Sequence, residues 1–372
     1  MVAWLAVRLV KPFRALRYDE ERAGRLDDLV APPHDVITPE LHASLLQASQ
    51  YNSVRLIRPD DPLDAARALR DWTDAGILTR EREQAVWVVE DEFAGPDGST
   101  RRRRGIVARV RLEPYSEGHV LPHERTFPRQ KDVRLELLRA TRTKLSPVLL
   151  LHEGDSPERP AGEPDLEATL EATRSSVWRV TDAAAVETAL AHVRGALLIA
   201  DGHHRYETAL RFHQEEATEE TGYVLATLVS RDDPGLVILP THRLAASAPQ
   251  ELNRTPATGV GEAFEELNRM SRDDAAFVIV RPEGAKLVRS QAAKLDTMVV
   301  DELDLGGVTY TASVSDAERA VAAGAVAAAF LVRPPTMEQV EAFARAGERM
   351  PPKSTYFFPK VTCGLFFSPF DE

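Results

Sequence analysis

The stretch Gly195-Ala-Leu-Leu-Ile-Ala-Asp201-Gly202-His203-His204-Arg205 constrains this chain more than any other. An apolar run stops at an acidic residue, a glycine follows, and Tyr206, Ala209, Leu210 and His213 then recur on one helical face. A buried strand, a tight turn and an amphipathic helix satisfy that pattern, since glycine takes strained turn conformations without steric cost. A helix start presents backbone N–H groups and a partial positive charge, and two histidines with Arg205 add further donors there. The turn is therefore predicted to bind an anion such as phosphate or carboxylate. The plainer alternative makes Asp201 an N-cap and the histidines ordinary packed or surface residues.

A second segment, from His123 to Lys144, carries seven basic residues against three acidic ones, in a chain whose formal net charge is −12. On a helix from about Lys131 to Thr143, Leu135 and Leu138 would face a core while Lys131, Arg134 and Arg142 line a cleft. Phosphoryl transfer needs such positive charge, because its transition state spreads negative charge over the transferred oxygens. Glu124, set in that cationic stretch, is the candidate base toward a hydroxyl. A solvated basic helix is the alternative. A third segment, Met350 to Lys360, is a proline-stiffened run with two lysines, which core aromatics and edge lysines would also explain.

At 372 residues the chain is long for one domain. Ser247 to Thr258, rich in Pro, Ala, Thr and Gln, reads as a linker, which places one region over 1–250 and a smaller α/β portion over 251–372. The spacing of Leu63, Ala66, Leu69 and Trp72 predicts a helix ending near Gly76. Ala85–Phe93 and Gly105–Leu112 read as a hairpin around Gly95-Pro96-Asp97-Gly98, with Arg101 to Arg104 on its returning arm, where a run of charge reads as a solvated rim. Thr336 and Gln339 have capping-box spacing. The fold class expected is mixed α/β.

Several functions find no support. An acidic chain repels a phosphate backbone, which argues against nucleic-acid binding. The single cysteine, Cys363, allows no internal disulfide, and no signal-peptide pattern or apolar run of membrane-spanning length is present, so a cytoplasmic protein that does not bind membranes is expected. No zinc-ligand spacing, Walker loop, dinucleotide fingerprint or Gly-x-Ser-x-Gly appears, and no metal site built from protein alone is expected.

Read in order, Ala31-Pro-Pro-His-Asp-Val-Ile37, His123-Glu-Arg-Thr126, Asp132 to Arg142 with Ser146-Pro147, Asp201 to Leu210, Leu239-Pro-Thr-His-Arg243 and Met350 to Lys360 resemble the ordered motifs of the domain-of-unknown-function family 1015. Its Asp-Gly-His-His-Arg turn in turn resembles that of the nucleotide-binding fold shared by sulfiredoxin, ParB partition proteins and an archaeal-type free-serine kinase. The resemblance implies a ParB/sulfiredoxin-like core in which Gly202, His203, His204 and Arg205 cradle nucleotide phosphates. Lys131, Arg134, Arg139 and Lys353 would neutralise charge, and His123 and Asp201 would join Glu124 in catalysis. Pro33, His34, Asp35, Thr126 and Arg243 would contact substrate. His34 stands where that family commonly has tyrosine. His203 replaces sulfiredoxin's catalytic cysteine, which excludes sulfinic-acid reduction by that route.

The expectation is a nucleotide-dependent phosphotransferase that uses ATP or ADP with Mg²⁺ on a small hydroxylated metabolite such as serine. A nucleotide-binding switch and a phosphohydrolase are the alternatives. Oligomeric state is open.

Overall fold

The strands of the main sheet are apolar on both faces, so they must be covered on both. Val107 and Leu225 point into one core with Trp87, Val177 and Phe366, while their neighbours Ile106, Ala108, Val224 and Ala226 point into a second with Leu150, Ile199 and Tyr206. That alternation is the period-two signature of a strand. In the computed structural model, which describes residues 9–126, 128–249, 259–290 and 294–370, nine strands join. Their order is Val120–Leu121, Leu197–Asp201, Val148–His152, Tyr223–Ser230, Thr100–Arg111, Val86–Ala94, Thr173–Val180, Leu166–Leu170, and Val10–Lys11 pairs with Thr100–Arg111 off that path. Two pairings are parallel, Leu197–Asp201 with Val120–Leu121 and Tyr223–Ser230 with Val148–His152, so the sheet is mixed. The fold is mixed α/β.

The chain forms two compact units. The first comprises Met1–Pro122, Thr126–Val237 and Pro359–Glu372; the second comprises His123–Arg125 and Ile238–Phe358. The second unit has its own five-stranded antiparallel sheet, ordered Gly284–Arg289, Ala276–Arg281, Ala328–Leu331, His242–Ser247, Gly306–Thr311. Here too the strands alternate. Val278, Val280, Ala329 and Leu331 pack with Leu267 and Val321 of two helices, and Phe277, Ile279, Ala328 and Phe330 pack with Val300 of another.

Local signals placed several elements correctly. The predicted helix runs Pro62–Asp74, with Gly76 left-handed at φ 69° just beyond its end. Thr336 and Gln339 form a complete capping box on Met337–Arg345. The linker expected at Ser247–Thr258 lies, from residue 250 on, outside the described residues. Among the described residues no helix is long and apolar enough to cross a membrane.

The arginine run lies on the returning strand Thr100–Arg111 as expected, and Arg102, Arg103 and Arg104 face Glu92, Asp91 and Glu90 across the ladder; the solvated reading holds for Arg102 and needs correction at Arg103. Opposite charges directly across antiparallel strands attract, which extends the pairing into a segment that composition alone assigns to solvent. Arg103 is 1% exposed; it donates to Asp91 Oδ2 at 2.8 Å and to the Pro359 carbonyl at 2.6 Å, and Asp91 also accepts from Ser175 at 2.7 Å.

Removing one partner strands a buried charge, so Asp91→Ala is expected to lower stability by about 3–5 kcal/mol. The double change Asp91→Leu/Arg103→Met should recover most of it. Urea denaturation decides: a loss below about 1 kcal/mol for the single change would show that water already screens the pair.

Candidate functional site

Leu197–Asp201 is fully buried, and its pairing with Val148–His152 slips between Ile199 and Asp201. Such a bulge re-aims the end of a strand. Gly202 follows at φ 95°, ψ 27°, and the helix His203–Glu216 begins. The N-cap position falls on Gly202 and not on Asp201, so the plainer reading of the acidic residue as a cap is set aside. The Asp201 carboxylate accepts hydrogen bonds from Arg205 through one oxygen and from Lys360 through the other. Arg205 also donates to the Pro147 carbonyl. The guanidinium lies directly against Gly202: a Cβ there would sit 3.0 Å from both its central carbon and Nε. Glycine is thus needed twice, for its left-handed backbone and for the space that Arg205 occupies.

Three further segments of the first unit surround this turn. Ala31 and Cys363 exchange both backbone hydrogen bonds, at 3.0 and 2.9 Å, which fastens the proline loop that follows Ala31 to the returning C-terminal segment. The Cys363 thiol is fully buried, and its pKa is raised above 9.0 by burial and by the nearby Asp35 and Asp201 carboxylates, against the pull of Arg205 and a hydrogen bond with Ser146. A thiol held protonated in this way is no nucleophile. The same interactions put Asp35, Ser146, Asp201 and Arg205 around one sulfur. His34 lies 3.8 Å from Asp35, and Pro33 is buried beside it.

The helix expected over Lys131–Thr143 runs Pro128–Thr141, with Leu135 and Leu138 buried as expected. Its basic residues part ways. Lys131 and Thr126 both bond Glu207, at 3.0 and 2.7 Å. Arg139 pairs with Glu215 on the surface at 2.6 Å. Arg142 leaves the helix at φ 47° and makes an exposed pair with Glu216, not a cleft wall. Arg134 turns inward: burial and the nearby Arg205 charge lower its pKa to about 9. Glu207, one turn along the helix from His203, gathers Lys131, Thr126 and Tyr115. Neither it nor Lys360 stood out as a site residue in the sequence. The turn helix itself is anchored by Tyr206, fully buried, whose hydroxyl bonds both the N–H and the carbonyl of Glu113 at 3.0 Å. His203 is buried and His204 half-buried.

The remaining predicted residues belong to the second unit. His123 is fully buried, its Nε2 2.9 Å from the Thr355 hydroxyl and its ring edge-on to Phe357. Glu124 bridges to Met350, whose N–H donates to the His123 carbonyl at 2.7 Å. Lys353 takes a left-handed backbone at φ 60°. Glu124, Lys353 and Arg243 all act electrostatically on Tyr310, whose phenol burial pushes up. Arg243 is fully buried in a two-pronged pair with Asp301, both contacts at 2.9 Å. Among the described residues no group of three or more His, Cys, Asp or Glu side chains is arranged to hold a metal ion.

A family model described as "Protein of unknown function (DUF1015)" matches residues 10–306. The chain belongs to the DUF1015 family. No curated protein matches this DUF1015 member. Among solved structures it is similar to a free serine kinase in complex with ADP, at 17% identity and a TM-score of 0.40, over 70% of this chain and 92% of the kinase. It is also similar to a conserved hypothetical protein from Pyrococcus furiosus, at 16% and 0.37 over 70% and 95%. A third is C-terminally truncated SbnI from Staphylococcus aureus, at 12% and 0.39 over 71% and 87%. Likeness at this level transfers no activity.

Gly202→Ala is expected to destabilise the DUF1015 chain by about 1–2 kcal/mol through backbone strain, plus the cost of displacing Arg205. Gly118, left-handed at φ 75° with nothing within 4 Å of the place a Cβ would take, isolates the backbone part. Equal losses for Gly202→Ala and Gly118→Ala in urea denaturation would show that the Arg205 contact contributes nothing.

Proposed function

We propose that this protein is a nucleotide-dependent phosphotransferase that acts on a small hydroxylated metabolite such as serine. One observation carries the reading: at the first turn of a 14-residue helix, Asp201, itself bonded by Lys360, and the Pro147 carbonyl hold Arg205 across a left-handed glycine. The glycine lets the guanidinium pack close to the backbone at the helix start, the leading N–H groups of a helix point outward, and the macrodipole favours negative charge. An arginine fixed beforehand loses little freedom on binding phosphate, which is how preorganised charge lowers a transition state. The ordered motifs of the sequence support the same reading through their resemblance to the free-serine-kinase turn.

In this reading Gly202, His203, His204 and Arg205 hold the phosphates of ATP or ADP, and Lys131, Arg134, Arg139 and Lys353 supply balancing charge. Glu124 is the base that takes the acceptor hydroxyl's proton, assisted by His123 and Asp201. Pro33, His34, Asp35, Thr126 and Arg243 are candidate substrate contacts. Mg²⁺, which needs only one or two carboxylates, would arrive with the nucleotide and offset the charge on its phosphates.

Phosphorus NMR of the protein with ATP or ADP, Mg²⁺ and a pool of hydroxylated amino acids tests this. A new phosphomonoester is expected, falling at least about a hundredfold in Glu124→Ala and disappearing with nucleotide binding in Arg205→Ala. Free phosphate alone would replace the kinase by a phosphohydrolase. Binding without turnover would leave a nucleotide switch, and undiminished nucleotide binding by Arg205→Ala would remove the cradle itself.

A further inference from the structure

Behind the turn, within the first unit, the helices Pro128–Thr141 and His203–Glu216, with the segment Thr143–Ser146, line a partly open cavity of about 60 Å³. By the measure in which one water needs about 10–15 Å³, it has room for several waters or for one group the size of phosphate. Arg134, Lys144 and Arg205 line it, and no carboxylate does. Two of its polar groups lack hydrogen-bond partners. The Lys144 ammonium, on a residue 6% exposed, and the Thr208 hydroxyl, on a residue 4% exposed, are both buried with nothing to bond. Lys144 lies over the Phe370 ring at 4.5 Å, but a ring face satisfies none of its three donors directionally.

Buried polar groups in folded proteins are nearly always paired, and a buried charge without a partner is costly. Both groups sit on residues that line one cationic hollow, and an oxyanion drawn into it would give each a partner after a small side-chain shift. We propose that this cavity binds a small oxyanion, free or as the phosphoryl group of a small phosphomonoester, through the Lys144 ammonium, the Thr208 hydroxyl and the Arg134 guanidinium. The site does not rest on the nucleotide reading, since its residues other than Arg205 and Arg134 play no part there.

Burial first, and the Arg109 charge second, lower the Lys144 pKa to about 7. Arg134, lowered by burial and by the Arg205 charge, keeps its pKa near 9, and His213, which the Lys144 charge also reaches, is held below its usual 6.5. Between pH 8.5 and 7 the larger gain of charge is therefore at Lys144, whose pKa lies at the lower end of that span. Its protonation favours an anion, so affinity rises as pH falls.

Calorimetric titration of the full chain with inorganic phosphate, with O-phosphoserine and, as an ionic-strength control, with potassium chloride tests the proposal without any nucleotide. Saturable binding of either phosphorus compound is expected, weakened about tenfold or more by Lys144→Met, with Thr208→Val weakening it less. Phosphate alone would mark a free-ion site, and the phosphomonoester alone a metabolite site. Sulfate, doubly charged throughout, should bind about tenfold tighter at pH 7 than at 8.5 to the natural chain, and equally at both to Lys144→Met. No saturable binding, or binding unchanged in Lys144→Met, would overturn the proposal.

Discussion

The first unit turns on one carboxylate. Asp201 ends the strand that the bulge displaces, and through its two oxygens it ties together Arg205, four residues on, and Lys360, from the last segment of the chain. All three side chains are about nine-tenths buried. Two cations on one buried anion leave a local excess of positive charge in a low-dielectric setting, where an unmatched charge acts strongly. A site that must attract phosphate needs that imbalance. Full neutralisation of Arg205 by a private carboxylate would have removed it.

The return of Pro359–Glu372 to the first unit makes this possible. Pro359–Phe367 supplies Phe366 and Phe367 to the core, pairs with the proline loop through Ala31 and Cys363, and receives Arg103 at the Pro359 carbonyl. Each contact crosses hundreds of residues of sequence, 256 of them between Arg103 and Pro359. Such contacts carry a loop-closure cost that grows only slowly with length, and the aromatic packing offsets it.

That division also explains what could be read beforehand. The strand, turn and helix around Gly202, the Pro62–Asp74 helix and the Thr336 capping box are local, and spacing or a single residue's backbone preference reveals them. The partners are not local. Nothing in the pattern near Asp201 points to a lysine 159 residues away, and nothing near Thr126 or Lys131 points to Glu207. Arg103 was hidden for a related reason: a run of charge reads as solvated until the acidic residues of the facing strand are placed opposite it.

Among the described residues the buried cations differ in what meets them. Arg103 with Asp91 and Arg333 with Asp296 each give a buried guanidinium a buried carboxylate, which fixes geometry. Lys144 is given aromatic rings and a hollow instead. A methionine would fill the same volume at lower cost, since volume-conserving apolar replacements in cores are well tolerated. Local rules broken without a structural gain concentrate at functional sites. The lysine and the nearby turn share Arg205 as a wall, so an anion in the hollow would change the field at the proposed phosphate site. Occupancy of one would then bear on the other through charge alone, with no movement of the backbone required.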